Sequence, residues 1–100
     1  MHVELRVEAR NDLIEASAFY DAQRDGLADY FIDSVFADLQ VLESEAGIHE
    51  LAYGLHRKLS ERFPFAIYSR VDDPLIDVVA TLDCRRDPDA IARRLGRTTP

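Results

Sequence analysis

Residues 62–83 read RFPFAIYSRVDDPLIDVVATLD, and this stretch decides the fold. Residues 63–71 predict a β-strand in which Phe63, Phe65, Ile67 and Ser69 lie on the face opposite Ala66, Tyr68 and Arg70, with Pro64 at its start where a missing N–H is tolerated. Asp72-Asp73-Pro74 predicts a tight turn. The nearly continuous apolar run over residues 75–82 predicts a strand in the interior of a sheet. Together these patterns predict an antiparallel hairpin of two buried strands.

The chain before this hairpin begins with a predicted strand and a predicted helix. Alternation over residues 2–8 indicates a half-buried strand. Asn11 or Asp12 then offers an N-cap, and apolar residues recur at helical spacing as far as about Gln23. Gly26 suits the left-handed position that follows a helix.

A second helix is predicted from about Leu27 to Glu45. Its apolar stripe consists of Leu27, Phe31, Val35, Leu39 and Leu42. The short connection between the two helices predicts an antiparallel helical hairpin that covers one face of the sheet. Gly47 begins a loop, and residues 54–60 favour a further strand. All five phenylalanines are core candidates: Phe19, Phe31, Phe36, Phe63 and Phe65.

The chain after residue 83 predicts a short helix. Asp87 is the expected cap, with Pro88 in the first turn. Arg93, Arg94 and Arg97 fall near the helix end, where cations interact favourably with the helix dipole. Residues 96–100 are expected to form a flexible tail.

This order of elements predicts a single α+β domain over residues 1–100. An N-terminal strand is followed by a helical hairpin, and a three-stranded antiparallel meander then completes one sheet. A chain of 100 residues has room for one domain. No segment approaches the roughly 20 apolar residues that span a bilayer, and no secretion signal is visible. The lone Cys84 suits a reducing cytoplasm, where we expect the protein to reside.

Charge is distributed unevenly along the chain. The net charge is −7, and residues 1–50 hold 12 Asp and Glu against 3 Lys and Arg, whereas residues 51–100 hold 7 against 9. Direct nucleic-acid binding is not expected, because phosphate contacts dominate such affinity. The arginine-rich half could attract an anion or an acidic partner. The alternative is that the acidic half simply forms two solvated helix faces. His49 and His56 have no cysteine or carboxylate at ligand spacing, so neither a metal nor a cofactor is expected.

Two motifs resemble those of the RelE/ParE toxin family. Residues 59–68, LSERFPFAIY, are similar to the family strand L-x-x-FPY-x-I-Y, and residues 85–88, RRDP, are similar to its strand-to-helix junction. Tyr20, Gly26-Leu27 and Phe31 also stand where the family pattern has them. The resemblance covers about residues 3–95 and implies a type II toxin–antitoxin system with a cognate antitoxin.

The resemblance leaves two activities open. The ribosome-dependent mRNA endonucleases of the family need an arginine early in the third strand, where this chain has Phe63-Pro64-Phe65. Their terminal-helix tyrosine aligns near Ile91, which cannot transfer a proton. Arg57 and Arg85 remain as catalytic candidates. Because this set is incomplete, the resemblance favours the ParE branch, whose members inhibit growth through DNA gyrase, act in plasmid stabilisation and need no nuclease site. A non-toxic interaction module with the same fold is a third possibility.

Six residues are candidates for binding a target or partner: Arg57, Arg62, Tyr68, Arg70, Arg85 and Arg86. Tyr68 and Arg70 are expected to face the side of the sheet opposite the helices. The alternative for Tyr68 is a ring that fills a second core with its hydroxyl at the rim. Arg85 and Arg86 follow a buried strand and could contact an anion. The alternative is that one pairs with Asp83 or Asp87 while the other is solvated.

Overall fold

The elements follow the predicted order, with one short strand added. The computed structural model describes residues 2–45 and 47–96. The elements are β1 (His2–Leu5), α1 (Val7–Gln23), α2 (Leu27–Ser44), β2 (Leu51–Ala52), β3 (Leu55–Leu59), β4 (Phe65–Asp72), β5 (Leu75–Asp83) and α3 (Pro88–Gly96). The predicted α+β class is confirmed, and β2 is the addition.

One five-stranded sheet organises the chain, in the order β1-β5-β4-β3-β2. The meander from β2 to β5 is antiparallel throughout. β1 instead pairs in parallel with β5, with His2 opposite Leu75 and Leu5 opposite Val78. The register of β4 on β5 shifts between Tyr68 and Ser69. The two strands predicted from residues 62–83 therefore occupy interior positions of the sheet.

The main core lies between the helical hairpin and one face of the sheet. Phe31 of α2 is fully buried at its centre. Its ring centroid lies 4.9 Å from that of Phe65, 5.1 Å from that of Phe63 and 4.7 Å from that of Tyr20. The contacts with Phe63 and Phe65 are edge-to-face, and such ring pairs add to the stabilisation that burial of the rings supplies. Of the predicted stripe on α2, all members except the half-buried Leu27 are buried.

A second, smaller core lies on the opposite face of the sheet. Ile91 and Leu95 of α3 pack there against Leu55, Tyr68 and Leu82. Tyr68 faces the side of the sheet opposite the helical hairpin, as expected, and α3 covers it there and leaves the residue 3% exposed. The Tyr68 ring fills a second core, as the alternative interpretation of the sequence predicts.

The N-terminal strand is shorter and the first helix longer than the alternation predicts. β1 ends at Leu5, and α1 begins at Val7 after Arg6 in extended conformation. Arg6 fixes this turn, because its backbone N–H donates to Val78 and its guanidinium donates to both carboxylate oxygens of Asp77 at 2.7–3.1 Å. Val7 is consequently exposed instead of facing the core.

Asp12 lies within α1 and does not cap the helix. Its carboxylate accepts hydrogen bonds from the backbone N–H of Thr81, at 3.1 Å, and from the Arg94 guanidinium, at 2.8 Å. The carboxylate thus ties α1 to both β5 and α3. Burial raises the pKa of Asp12, an effect that these hydrogen bonds and the nearby arginines oppose.

The predictions for individual residues are confirmed in part. Gly26 adopts a left-handed conformation with φ of 84°, as expected, and Asp87 caps α3 by accepting from the N–H of Asp89. Phe19 and Phe36 are exposed and not in the core. Gly96 is the last residue of α3 and not part of a tail. The predictions for Arg97 and for the rest of the tail, residues 98–100, lie outside the described residues.

Neither a membrane-spanning segment nor a metal cluster is found within residues 2–45 and 47–96. No helix there is long and apolar enough to cross a bilayer. No group of three or more His, Cys, Asp or Glu side chains in those ranges could hold a metal ion.

Candidate functional site

The arginine pair lies in the turn that joins β5 to α3. Both arginines are exposed, yet their environments differ. The Asp83 carboxylate accepts the backbone N–H of Arg85 at 2.7 Å and its guanidinium Nη2 at 2.7 Å. The Arg85 guanidinium carbon also lies 6.0 Å from the centroid of the Phe19 ring. Arg85 is therefore held beside α1 by a carboxylate and an aromatic ring.

The Arg86 guanidinium donates no hydrogen bond to any residue that the structure describes, whereas the backbone N–H of Arg86 donates to the carbonyl of Asp83 at 3.3 Å. Arg86 lies near enough to Asp12 and Asp83 to lower the pKa of each carboxylate, although Arg85 has the larger effect on Asp83. Arg85 is thus paired with Asp83, which is what the second of the two interpretations of the sequence predicts. The guanidinium donors of Arg86 remain available to a ligand or partner.

Arg57 and Tyr68 form a second cluster, on the face of the sheet that α3 partly covers. They are cross-strand partners, and Arg57 interacts with the Tyr68 hydroxyl and forms an ion pair with Glu50. Burial raises the pKa of Tyr68 and also that of the neighbouring Cys84 thiol. At neutral pH the tyrosine and the thiol therefore retain their protons, and neither is suited to act as a base or nucleophile.

The remaining two candidates, Arg62 and Arg70, lie next to an aromatic ring and opposite a carboxylate, respectively. The guanidinium carbon of Arg62 lies 5.7 Å from the centroid of the Tyr30 ring of α2, on the helical side of the molecule. Arg70 is opposite Asp77 in the ladder, two residues from the end of β4. The six predicted residues therefore do not converge on one site. Only the pairs Arg57–Tyr68 and Arg85–Arg86 are brought together.

The two catalytic candidates are each paired with a carboxylate. Glu50 accepts a hydrogen bond from Arg57, and Asp83 accepts hydrogen bonds from Arg85. Such pairing reduces the positive potential available to a developing phosphorane. Ile91, which occupies the position of the expected tyrosine, is buried against the sheet. The geometry of the described residues thus suits these arginines to recognition.

A groove on the outer side of the helical hairpin was not anticipated from the sequence. We call it the hairpin groove; its volume is about 500 Å³, and its lining residues are Arg10, Leu13, Ile14, Ser17, Ala18, Asp21, Ala28, Ile32 and Phe36. Ile14 of α1 and Phe36 of α2 are 62% and 55% exposed, so both helices present apolar surface to solvent in this groove. The sequence indicated this groove only by one apolar residue on each helix, Ile14 and Phe36, that lies outside the stripe facing the sheet.

The hairpin around this groove is strongly acidic. α1 and α2 together hold eight Asp and Glu side chains and one arginine, Arg10. Of the acids, Asp21 lines the groove itself. An apolar groove on a helical hairpin of net negative charge is suited to an amphipathic partner that carries basic residues.

The fold defined by these elements is that of the RelE/ParE-type toxins. The chain is similar to a solved structure described as the chromosomal ParDE TA system from P. aeruginosa, with a TM-score of 0.70. The two are 20% identical, and the match covers 81% of this chain and 92% of the other. No protein-family profile matches the chain, and no curated protein matches its sequence. The similarity therefore confirms the predicted fold.

The Asp83–Arg85 pair has a measurable pH dependence. Hydrogen bonding from Arg85 lowers the pKa of Asp83 from its ordinary value, which is about 3.9 in model peptides. Because the folded-state pKa lies below that of the unfolded chain, the ionised carboxylate contributes stability above about pH 4, and the contribution is lost as the pH falls through the folded-state pKa. In Arg85→Ala we expect the Asp83 pKa, measured by carboxyl-carbon NMR, to rise. An unchanged pKa would show that the ion pair is not formed in solution.

Proposed function

We propose that this chain is the toxin component of a type II toxin–antitoxin system, that it inhibits growth by acting on DNA gyrase, and that a cognate antitoxin neutralises it in the bacterial cytoplasm. The observation that carries the proposal is the shared fold with a protein of a ParDE system over 81% of the chain. Arg86, with its uncommitted guanidinium, and the adjacent Arg85 supply an exposed basic contact at the end of the sheet.

The charges favour a protein target over RNA cleavage. Both catalytic candidates are neutralised by carboxylates, and Tyr68 is buried and keeps its proton. A nuclease needs cationic groups and an acid or base around the scissile phosphate. Gyrase inhibition requires only a contact surface, which the exposed arginine pair can supply.

The hairpin groove is the surface that we assign to the antitoxin. Its apolar lining suits the apolar face of an amphipathic helix, and Asp21 at the groove, together with the net negative charge of α1 and α2, suits basic residues along the edges of that helix. A helix laid in a groove is one of the recurring ways in which proteins bind peptide segments. The antitoxin segment is accordingly expected to be helical and basic.

Expression in bacteria tests the toxin proposal directly. Induction of the chain alone is expected to stop growth, and co-expression with the small open reading frame adjacent to its gene is expected to restore it. Unimpaired growth at a confirmed high level of folded protein would overturn the proposal. A supercoiling assay with purified gyrase and an mRNA cleavage assay then separate the two targets. Cleaved mRNA with unaffected supercoiling would contradict the assignment to gyrase.

Arg85→Ala is expected to reduce toxicity without unfolding the domain. The side chain is more than half exposed, so its removal leaves the core intact while it removes a cation from the proposed contact. The inducer concentration that halves growth rate should rise at least about tenfold, the effect of losing one interface contact of about 1.4 kcal/mol. Arg93→Ala is the matched control, since Arg93 is an exposed arginine of α3 that lies seven residues beyond Arg86 in the chain. A large loss of thermal stability with unchanged toxicity would identify Arg85 as a structural residue.

A further inference from the structure

A cleft separate from the hairpin groove lies between α1 and the carboxyl end of β5. Its volume is about 210 Å³. The buried part of its lining is formed by Tyr20, Phe65, Thr81 and Leu82, and its other lining residues are Asp12, Glu15, Ala16, Phe19, Asp83 and Arg86. An apolar interior with charged groups around it is the usual composition of a small-molecule site.

The Tyr20 hydroxyl is the unusual group in this cleft. The residue is 7% exposed, and its hydroxyl oxygen is buried without a hydrogen-bond partner among the described residues. The hydroxyl lies close enough to Asp83 and Arg85 for both to influence its pKa, which burial raises above the ordinary value. It therefore carries its proton at neutral pH. A buried donor without an acceptor is costly, so this position favours a ligand that brings one.

The charges around the cleft are balanced. Asp12 is paired with Arg94, and Asp83 with Arg85. This leaves Glu15 and Arg86, whose side chains are opposite in sign and make no hydrogen bond to a described residue. An anion in the cleft would lie near three carboxylates, and a cation would lie near Arg86. A neutral group that both donates and accepts hydrogen bonds avoids both costs.

We propose that this cleft binds a neutral carboxamide carried on an apolar body. The carbonyl oxygen would accept from the Tyr20 hydroxyl and from Arg86, and the amide nitrogen would donate to Glu15. The apolar body would lie against Ala16, Phe19 and Leu82. A free aromatic amide and the side chain of a glutamine in a partner protein share this chemistry. The proposal does not depend on the toxin function: the cleft shares Arg86 with the proposed basic contact, but its tests measure the binding of small amides by the isolated chain.

Three isosteric probes test the charge preference. Benzamide, benzoate and benzamidine differ in charge and little in shape, and each can be titrated into the ¹⁵N-labelled chain while backbone amide shifts are followed by NMR. We expect benzamide to give saturable shifts at Ala16, Phe19 and Leu82, with a Kd on the order of 1 mM, as befits so small a ligand. Tighter binding of benzoate or benzamidine, or no binding of any neutral amide, would overturn the proposal.

A further probe identifies the source of the amide. N-acetyl-glutamine N-methylamide presents the same group as a glutamine side chain, and its charged control is the corresponding glutamate compound. Preference for benzamide supports a free aromatic amide, and preference for the glutamine compound supports a partner side chain. Tighter binding of the glutamate compound than of the glutamine compound would contradict either source.

Tyr20→Phe is the decisive variant. It removes only a hydroxyl that has no partner, so the fold should keep its thermal stability, whereas benzamide affinity should fall about fivefold with the loss of one hydrogen bond. Arg86→Ala, at an exposed position, should weaken binding by a similar factor. Tyr30→Phe is the matched control, because Tyr30 is exposed on α2 and does not line this cleft. Unchanged benzamide affinity in both Tyr20→Phe and Arg86→Ala would overturn the assignment.

Discussion

Replacing Phe31 with alanine is expected to reduce the free energy of unfolding by about 3–5 kcal/mol, the usual cost of removing a buried phenylalanine. Phe31 is fully buried, and its ring contacts those of Tyr20, Phe63 and Phe65. The loss combines apolar burial, ring–ring contacts and a cavity that three other aromatic rings cannot fill without rearrangement. The total free energy of unfolding of a domain of this size is about 5–15 kcal/mol, so the variant should be only marginally stable.

Thermal and urea unfolding measure this effect. The midpoint temperature of Phe31→Ala should fall by at least about 12 °C if 1 kcal/mol corresponds to about 4 °C or more. Phe36→Ala is the control on the same helix, because its ring is 55% exposed and its removal should cost under about 1 kcal/mol. Equal losses in the two variants would show that the helical hairpin does not pack on the sheet as described.

Phe36→Asn is expected to weaken antitoxin binding by about tenfold to a hundredfold while leaving the isolated chain folded and toxic. Phe36 is the largest apolar residue of the hairpin groove, and residues of this kind dominate the energy of interfaces. Asparagine leaves the net charge unchanged, so long-range attraction of a basic helix is preserved. The docked helix would instead bury an amide without a partner.

Affinity measured by calorimetry, together with rescue of growth by the antitoxin, tests this prediction. Val41→Asn is the matched control, since Val41 is an exposed apolar residue of α2 that does not line the groove. If Val41→Asn weakens binding as strongly as Phe36→Asn does, the antitoxin contacts a different surface of α2. If neither does, the groove is not the docking site.

Local patterns in the sequence were sufficient for the hairpin of residues 62–83 and for most of α2. Alternating side chains predict a strand, a turn tripeptide predicts a tight turn, and a continuous apolar run predicts a strand in the interior of a sheet. Gly26 and Asp87 were likewise predictable, because a left-handed position and a helix cap depend on a few adjacent residues. These features involve interactions between near neighbours in the chain.

The features that the sequence did not predict depend on contacts between distant residues. Val7 fits the alternation of a strand, but the helix begins there because Arg6 is anchored to Asp77 and Val78 on another strand. Asp12 has the character of an N-cap, yet its partners are Thr81 and Arg94. For the same reason the cleft around Tyr20 was missed. Its lining comes from α1 and from the chain between residues 65 and 86.

The pairing of β1 with β5 has a consequence for the timing of synthesis. During translation His2 is made before its partner Leu75, which follows after more than 70 further residues. At the usual rate of translation this interval is roughly 4–14 s. During that time β1 has no strand beside it, and the apolar side of the nascent helical hairpin has no sheet to cover. A newly made chain is therefore incomplete for seconds, an interval in which a partner that binds the hairpin groove can engage the chain before its sheet is complete.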